Sequence, residues 1–205
     1  SLLQGAVGFA AGMFGVPLFL LCGVELPQAV ALAFISSAVQ NALAAWKLRG
    51  EAEWQDLHQP ILLRCVGQPA GAWGLYLLGT ANSSLAGQVV GGILLGIVIV
   101  QMLWRIEPRN VVHPAWQWLA FPLSGTLFSF CGMGGPPVVL WVLAHNWPAI
   151  RQRAFLFTIF ASGIPLQFVL LWWFFGTPIL WEMLLGLAFL PLLLVGTFVG
   201  LRLGE

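Results

Sequence analysis

Charge is scarce in this 205-residue sequence: eight Lys+Arg and seven Asp+Glu make up only 7% of it. A soluble domain carries about 25%, because its outside must be wetted. The shortage excludes a soluble enzyme, a disordered chain and a nucleic-acid partner. A formal net charge of +1 leaves no acidic or basic face for a charged macromolecule. Cysteine is nearly as rare. Cys22, Cys65 and Cys131 are odd in number, lack CxxC spacing and sit in apolar runs, so they read as buried thiols. The three histidines, His58, His113 and His145, lie in separate links, and HExxH, GxSxG and clustered carboxylates are all missing. Neither a metal centre nor a catalytic triad is expected, and no cofactor. No cleavable signal pattern is visible, and the chain opens on Ser1 rather than Met, so further N-terminal residues are expected to precede it.

What the chain does have is apolar length. Hydrophobic residues make up 60% and the mean hydropathy is +0.92. Uncharged runs cover 1–24, 26–46, 65–104, 110–150, 154–181 and 183–201, against about 20 apolar residues for one bilayer crossing. Period-two alternation is absent, so the runs read as helices and not barrel strands. The sequence predicts an all-α polytopic membrane protein with seven hydrophobic segments, at about 1–22, 27–47, 60–79, 84–104, 114–144, 149–175 and 179–203. Its first partner is therefore the lipid bilayer. A multi-pass place in a plasma membrane, the bacterial inner membrane, is expected. Pro27, Pro60, Pro114, Pro148 and Pro178 stand near five segment starts, where a missing N–H costs least.

Tryptophan fits these boundaries. Trp46, Trp104, Trp116, Trp118, Trp147, Trp172, Trp173 and Trp181 fall at or near segment ends, as an interfacial belt requires. Lys47, Arg49 and Arg64 flank the link at 47–59, and Arg105 and Arg109 lie in the link at 105–113, which places both links on the cytoplasmic side. Arg151 and Arg153 then fall on the opposite face and break the pattern.

The two halves repeat at an offset of 120. Gly5-x6-Gly12-Met13-x-Gly15-x-Pro17 aligns with Gly125-x6-Gly132-Met133-x-Gly135-x-Pro137, and one residue of slip then aligns Pro27 with Pro148, Phe34 with Phe155 and Ser37 with Thr158. The expected organisation is a first repeat at 1–104 with four segments, a polar linker at 105–113, and a second repeat at 114–205 with three. An eighth segment beyond Glu205 would complete the second repeat. Whether the halves are parallel or inverted depends on whether either motif is re-entrant, and the sequence leaves that open.

The repeated motif interrupts apolar runs with residues that cannot continue a helix. Gly132-Met133-Gly134-Gly135-Pro136-Pro137 combines three glycines with two prolines, and proline lacks the donor and collides with the preceding turn. Half-helix N-termini beside such a break carry positive dipole ends that suit an anion. Paired breaks in corresponding positions of two halves point to a transporter site. The plain structural reading is close helix crossing at small residues.

The stretch GAVGFAAGMFGVPLFLLCGVELPQAVALAFISSAVQNALAAWKLRGEAEW, and then GTLFSFCGMGGPPVVLWVLAHNWPAIRQRAFLF with its GxGGPP motif and Arg153-Ala154 helix entry, resemble the TauE/SafE family of sulfite-exporter-like permeases, also called the toluene sulfonate uptake permease family. The resemblance covers nearly the whole chain. It implies secondary transport of small sulfur-containing or organic anions such as sulfite, sulfonate or thiosulfate, and no enzymatic activity.

Polar groups inside apolar helices complete the candidate list. Ser37 and Asn41 are four apart on the second segment, and Thr158 and Ser162 make the matching stripe on the sixth. Each hydroxyl taken singly reads as bonded to its own helix; mirrored in both halves, they suit an oxyanion as donors. Arg153 is the cationic candidate, placed beside the second break, with Arg151 as an interfacial anchor. Substrate contacts are thus expected from Gly12, Gly15, Pro17, Ser37, Asn41, Gly132, Gly134, Gly135, Pro136, Pro137, Arg153, Thr158 and Ser162. Gln68 and Gln167 are assigned to packing or the interface. Arg153→Ala or Gly134→Leu is expected to reduce transport with folding intact. A passive anion channel is the alternative, an intramembrane enzyme a more distant one, and a homo-oligomer is compatible with the sequence.

Overall fold

The structure, a computed structural model, describes residues 15–80, 83–103 and 113–188. The regular elements among them are α-helices. Residues 15–21 are helical, followed by α1 (Leu26–Lys47), α2 (Trp54–Gly79), α3 (Ser83–Leu103), α4 (Pro114–Cys131), α5 (Gly135–Leu143), α6 (Ala149–Ser162), α7 (Ile164–Phe175) and α8 (Pro178–Ala188). Leu26–Lys47, Leu85–Leu103 and the combined stretch Ala149–Phe175 are long and apolar enough to cross a membrane. The fold is that of an α-helical membrane protein. On α3, Leu95, Met102 and Leu103 face outward, as lipid contact allows and water would not. Trp46, Trp118, Trp173 and Trp181 are also more than half exposed, near helix ends, in keeping with an interfacial belt.

Two boundaries differ from the sequence reading. Helix α2 starts at Trp54, with Asp56 in its first turn favourably placed against the helix dipole, so Pro60 lies inside it. The stretch at 149–175 is interrupted at Gly163, where Pro165 prevents the backbone bonds from continuing unbroken from α6 into α7. The cysteines are not uniformly buried either: Cys131 is, Cys65 is half-buried and Cys22 is exposed on a surface that lipid can cover.

The tightest packing lies between α2 and α4, and its cause is glycine. A Cβ on Gly67 would stand 2.0 Å from the Pro122 carbonyl oxygen, one on Gly71 2.1 Å from that of Thr126, and one on Gly125 2.0 Å from that of Arg64. The two backbones therefore touch, and the Thr126 hydroxyl donates across the seam to the Gly67 carbonyl at 3.1 Å. This is small-residue packing of the kind that drives helix association in lipid.

Helix α2 also runs parallel to α6–α7 at a constant separation of 95 residues: Asp56 meets Arg151, Arg64 meets Ile159 and Gln68 meets Gly163. Arg151 pairs with Asp56 at 2.5 Å and Glu53 at 3.3 Å, and lies over the Trp147 ring. The start of α6 is thereby fixed beside the start of α2, at the same end of the bundle. This corrects the expectation that Arg151 and Arg153 lie opposite the 47–59 link. The reason is that 114–144 does not cross. Helix α4 ends at Cys131, Gly132 turns the chain at φ 73°, and α5 folds back along α4. The Ser124 hydroxyl donates to the Gly134 carbonyl, the Phe121 ring meets Trp141 at 5.1 Å, and Trp116 and Trp147 pack on one cluster. The hairpin leaves by the end at which it entered.

That end is closed by aromatic packing. His145 lies 4.1 Å from the Trp141 ring and 4.6 Å from Trp147, with Nδ1 at 2.9 Å from the Trp141 carbonyl oxygen. Burial pushes the His145 imidazole below its ordinary value, against the opposing effects of the Trp141 carbonyl and Asp56 and with a further push from Arg151. The folded state thus prefers the neutral ring and the unfolded chain binds the extra proton. The contribution is full above the unfolded value of about 6.5 and is lost as pH falls through the lower folded one. Thermal unfolding in detergent should show a lower Tm at about pH 5 than at about pH 7.5, with part of that difference abolished in His145→Gln. An unchanged pH dependence in the variant would contradict this.

Candidate functional site

Gly12 lies outside the described residues. Of the other candidates in the first motif, Gly15 and Pro17 fall in the helical stretch 15–21, whose Val16 is fully buried. A Cβ on Gly132 would stand 3.3 Å from the Val16 side chain, so the two motifs meet. Beside that contact is a small crevice lined by Val30, Ala33, Phe34, Ser37, Phe128 and Gly132. It unites two of the sequence-derived candidates, Ser37 and Gly132, and the Phe34 and Phe128 rings meet edge to face at 6.2 Å along it.

The break itself offers fewer donors than its glycines suggest. Gly132 N–H bonds the Phe128 carbonyl at 2.9 Å and Met133 N–H bonds that of Leu127 at 3.3 Å. Pro136 and Pro137, in the first turn of α5, have no N–H to give. Gly134 is pressed into α4: a Cβ there would stand 2.5 Å from Phe128 Cβ and 2.6 Å from the Ser124 carbonyl oxygen. Gly134→Leu therefore collides with a helix and cannot leave folding intact, contrary to expectation.

The hydroxyl stripe is also partly committed. Thr158 donates to the Ala154 carbonyl at 2.7 Å and Ser162 to that of Ile159 at 2.9 Å, so to serve an anion they must release their own helix. Asn41 is buried, and its Oδ1 has no partner among the described residues. Arg153 sits near the start of α6, beside the pairing of Arg151 with Asp56. The turn at the break lies beyond Phe130, which packs on Gly74. Asp56 and Gly74 are 18 residues apart on α2, so Arg153 is removed from that turn by on the order of 20 Å. The expectation that it adjoins the break is corrected, because nine residues of α5 lead away from the break before α6 begins.

The polar residues that the structure does bury centrally are others. Arg64 and Gln68, 1% and 0% exposed, lie one turn apart near the middle of α2. Arg64 Nη1 donates to the Ile159 carbonyl and Gln68 Nε2 to that of Gly163 at 3.0 Å, where α6 gives way to α7; the Gly163 carbonyl also accepts from Gln167 N–H at 3.1 Å. The guanidinium carbon lies 4.5 Å from the Phe128 ring centroid and 5.3 Å from that of Phe160. One turn past Gly163, Gln167 is buried and accepts from the Ser129 hydroxyl. Arg64 Nε and Nη2, Gln68 Oε1 and Gln167 Nε2 have no partner among the described residues. No described carboxylate pairs with Arg64, although a buried unpaired charge costs several kcal/mol. Among the described residues there is no cluster that could hold a metal ion. Sequence reasoning passed over this group; the signal available was Gly163-Ile164-Pro165, a second helix break in an apolar run.

Compared with known protein families, residues 1–205 match the family described as Sulfite exporter TauE/SafE. No curated protein and no solved structure matches the chain.

Proposed function

We propose that this chain, which belongs to the sulfite exporter TauE/SafE family, is a secondary transporter of small sulfur-containing or organic anions such as sulfite, sulfonate or thiosulfate. The observation that carries this reading is the unwound, largely buried backbone at Gly132–Gly134, turned against Val16 of the first motif and opening on the crevice at Ser37. Irregular backbone at membrane depth persists only where protein buries it or a cavity meets it, and broken helices at the meeting of two repeats are where carriers hold their substrates. Gly12, Gly15, Pro17, Ser37, Asn41, Gly135, Pro136 and Pro137 are proposed to shape that space, with Thr158 and Ser162 as hydroxyls recruited during the cycle. Arg153 is proposed to attract anions at the bundle end.

Two observations support a duplicated architecture, with halves at 1–104 and 114–205. Helix α1 packs on α8 while α6–α7 packs on α2, the same pairing with the halves exchanged. With α1, α2 and α3 proposed as traverses between the first motif and the α4–α5 hairpin, the odd number would invert one half against the other. The shared end of Lys47, Arg49, Arg151 and Arg153 supports its placement at the cytoplasmic face of a bacterial inner membrane.

The test is uptake into proteoliposomes of radiolabelled sulfite, thiosulfate, methanesulfonate and acetate. Uptake of at least one anion above protein-free vesicles is expected; protein-free rates for all four would overturn the reading.

A further inference from the structure

We infer that the Nε–H/Nη2–H edge of Arg64 is an oxyanion-binding fork, set at the Gly163 break near the middle of the bundle, and that it holds the transported anion. The inference rests on the transport reading and deepens it by naming the site and the shape of its ligand. Three features of the guanidinium carry it. Its Nη1 is bonded to the Ile159 carbonyl, its central carbon lies over the Phe128 and Phe160 rings, and the two donor atoms without a partner among the described residues, Nε and Nη2, form a single edge. Those two N–H groups are parallel and spaced to meet two oxygens on one atom, as in a carboxylate, a sulfonate or sulfite. An arginine serving only to fasten helices would direct that edge at carbonyls too. Here it is buried and charged, with no partner among the described residues.

The surroundings suit the same ligand. Gln167 Nε2 is a further buried donor without a partner among the described residues, its Oε1 being occupied by Ser129. Gln68 Oε1 is a spare acceptor one turn from the fork, suited to an anion that still carries a proton. Gly163 is what lets the two α2 side chains reach the break, since a Cβ there would stand 2.8 Å from Arg64 Nη1 and 2.9 Å from Gln68 Nε2. Phe128 both covers the guanidinium and lines the crevice at Ser37 and Gly132, so its ring partitions the crevice from the fork.

The experiment measures anion affinity and Tm together on the purified full chain in detergent, with sulfite, methanesulfonate, acetate and chloride as probes, and uptake in proteoliposomes alongside. The parent should bind its best two-oxygen anion at least about tenfold more tightly than chloride, the difference expected when a charge-assisted second bond is made. Arg64→Lys keeps the charge but loses the fork, and should weaken that anion by about tenfold or more. Gly163→Ala has ordinary helical dihedrals and displaces only side-chain tips; it should weaken binding several-fold while Tm stays within a few degrees. Should Arg64→Lys fail to fold, Gly163→Ala and the chloride comparison still decide. If the parent transports an anion but prefers it no more than chloride, or if the folded variants bind it as the parent does, the fork is not the site and the transport reading stands. If the parent moves no anion, the transport reading fails and takes the fork with it.

Discussion

Gly71→Leu is expected to yield no folded protein, whereas Gly91→Leu is expected to fold and transport as the parent does. Both are glycines in apolar helices, and composition does not separate them. The difference is what a side chain would meet. At Gly71 a Cβ alone lies 2.1 Å from the Thr126 carbonyl oxygen and 2.9 Å from its Cα, backbone that can yield only if α2 leaves α4; at Gly91 nothing stands within 4 Å. Ordinary overpacking costs about 1–3 kcal/mol because side chains can shift. Separating two backbones also removes the Thr126 bond to Gly67 and uncovers Arg64. Yield and monodispersity on size exclusion check the pair; a monodisperse Gly71→Leu protein with the parent's Tm would contradict the packing described.

The second large effect is a matter of sidedness. With Cys22, Cys65 and Cys131 replaced by alanine, single cysteines at the exposed positions Glu51, Asn146 and Thr177 report on three links. If 114–144 folds back as the Ser124–Gly134 and Phe121–Trp141 contacts require, Glu51→Cys and Asn146→Cys react with a membrane-impermeant maleimide from one side and Thr177→Cys from the other. Four full crossings in the first half and a fifth through 114–144 instead place Asn146 opposite both. The outcome is close to all or none for each position.

These two predictions also mark where the sequence was informative. The break after Cys131 is legible because glycine and proline at that density cannot be helical, whatever surrounds them. Its direction is not. Whether the chain continues or returns depends on Ser124 reaching Gly134 and Phe121 reaching Trp141, pairings between residues that no local pattern links. The contrast between Gly71 and Gly91 is likewise invisible, since both read as small residues in a hydrophobic helix.

Arg64 shows how a boundary error propagates into function. With Pro60 taken as the start of the segment, Arg64 stands four residues from water and reads as a positive flank of the link. The helix begins at Trp54, and those six residues move it inward by about 9 Å of rise. An interfacial arginine thereby becomes a buried one. Proline suggested the start because it favours the first turn, but it is also tolerated within membrane helices, where neighbouring helices satisfy the freed carbonyls. Arg153 was misplaced for the complementary reason. Adjacency to Pro137 in sequence was read as adjacency in space, and α5 intervenes.

The low charge content has a consequence for mechanism. With Arg151 held by Asp56 and Glu53, Arg64 is a buried cation facing no described carboxylate. An anion carrier built this way would rely on one guanidinium edge, amide side chains and backbone. Such a chain is proposed to carry its anion by alternating access. Counterflow distinguishes this from a pore: proteoliposomes loaded with unlabelled sulfite, or with whichever anion the uptake panel selects, are diluted into a trace of the labelled anion. Alternating access gives a transient accumulation of label above equilibrium, driven by exchange. A monotonic approach to equilibrium with no overshoot, accompanied by unitary conductance steps in planar bilayers, would instead identify a passive channel and contradict it.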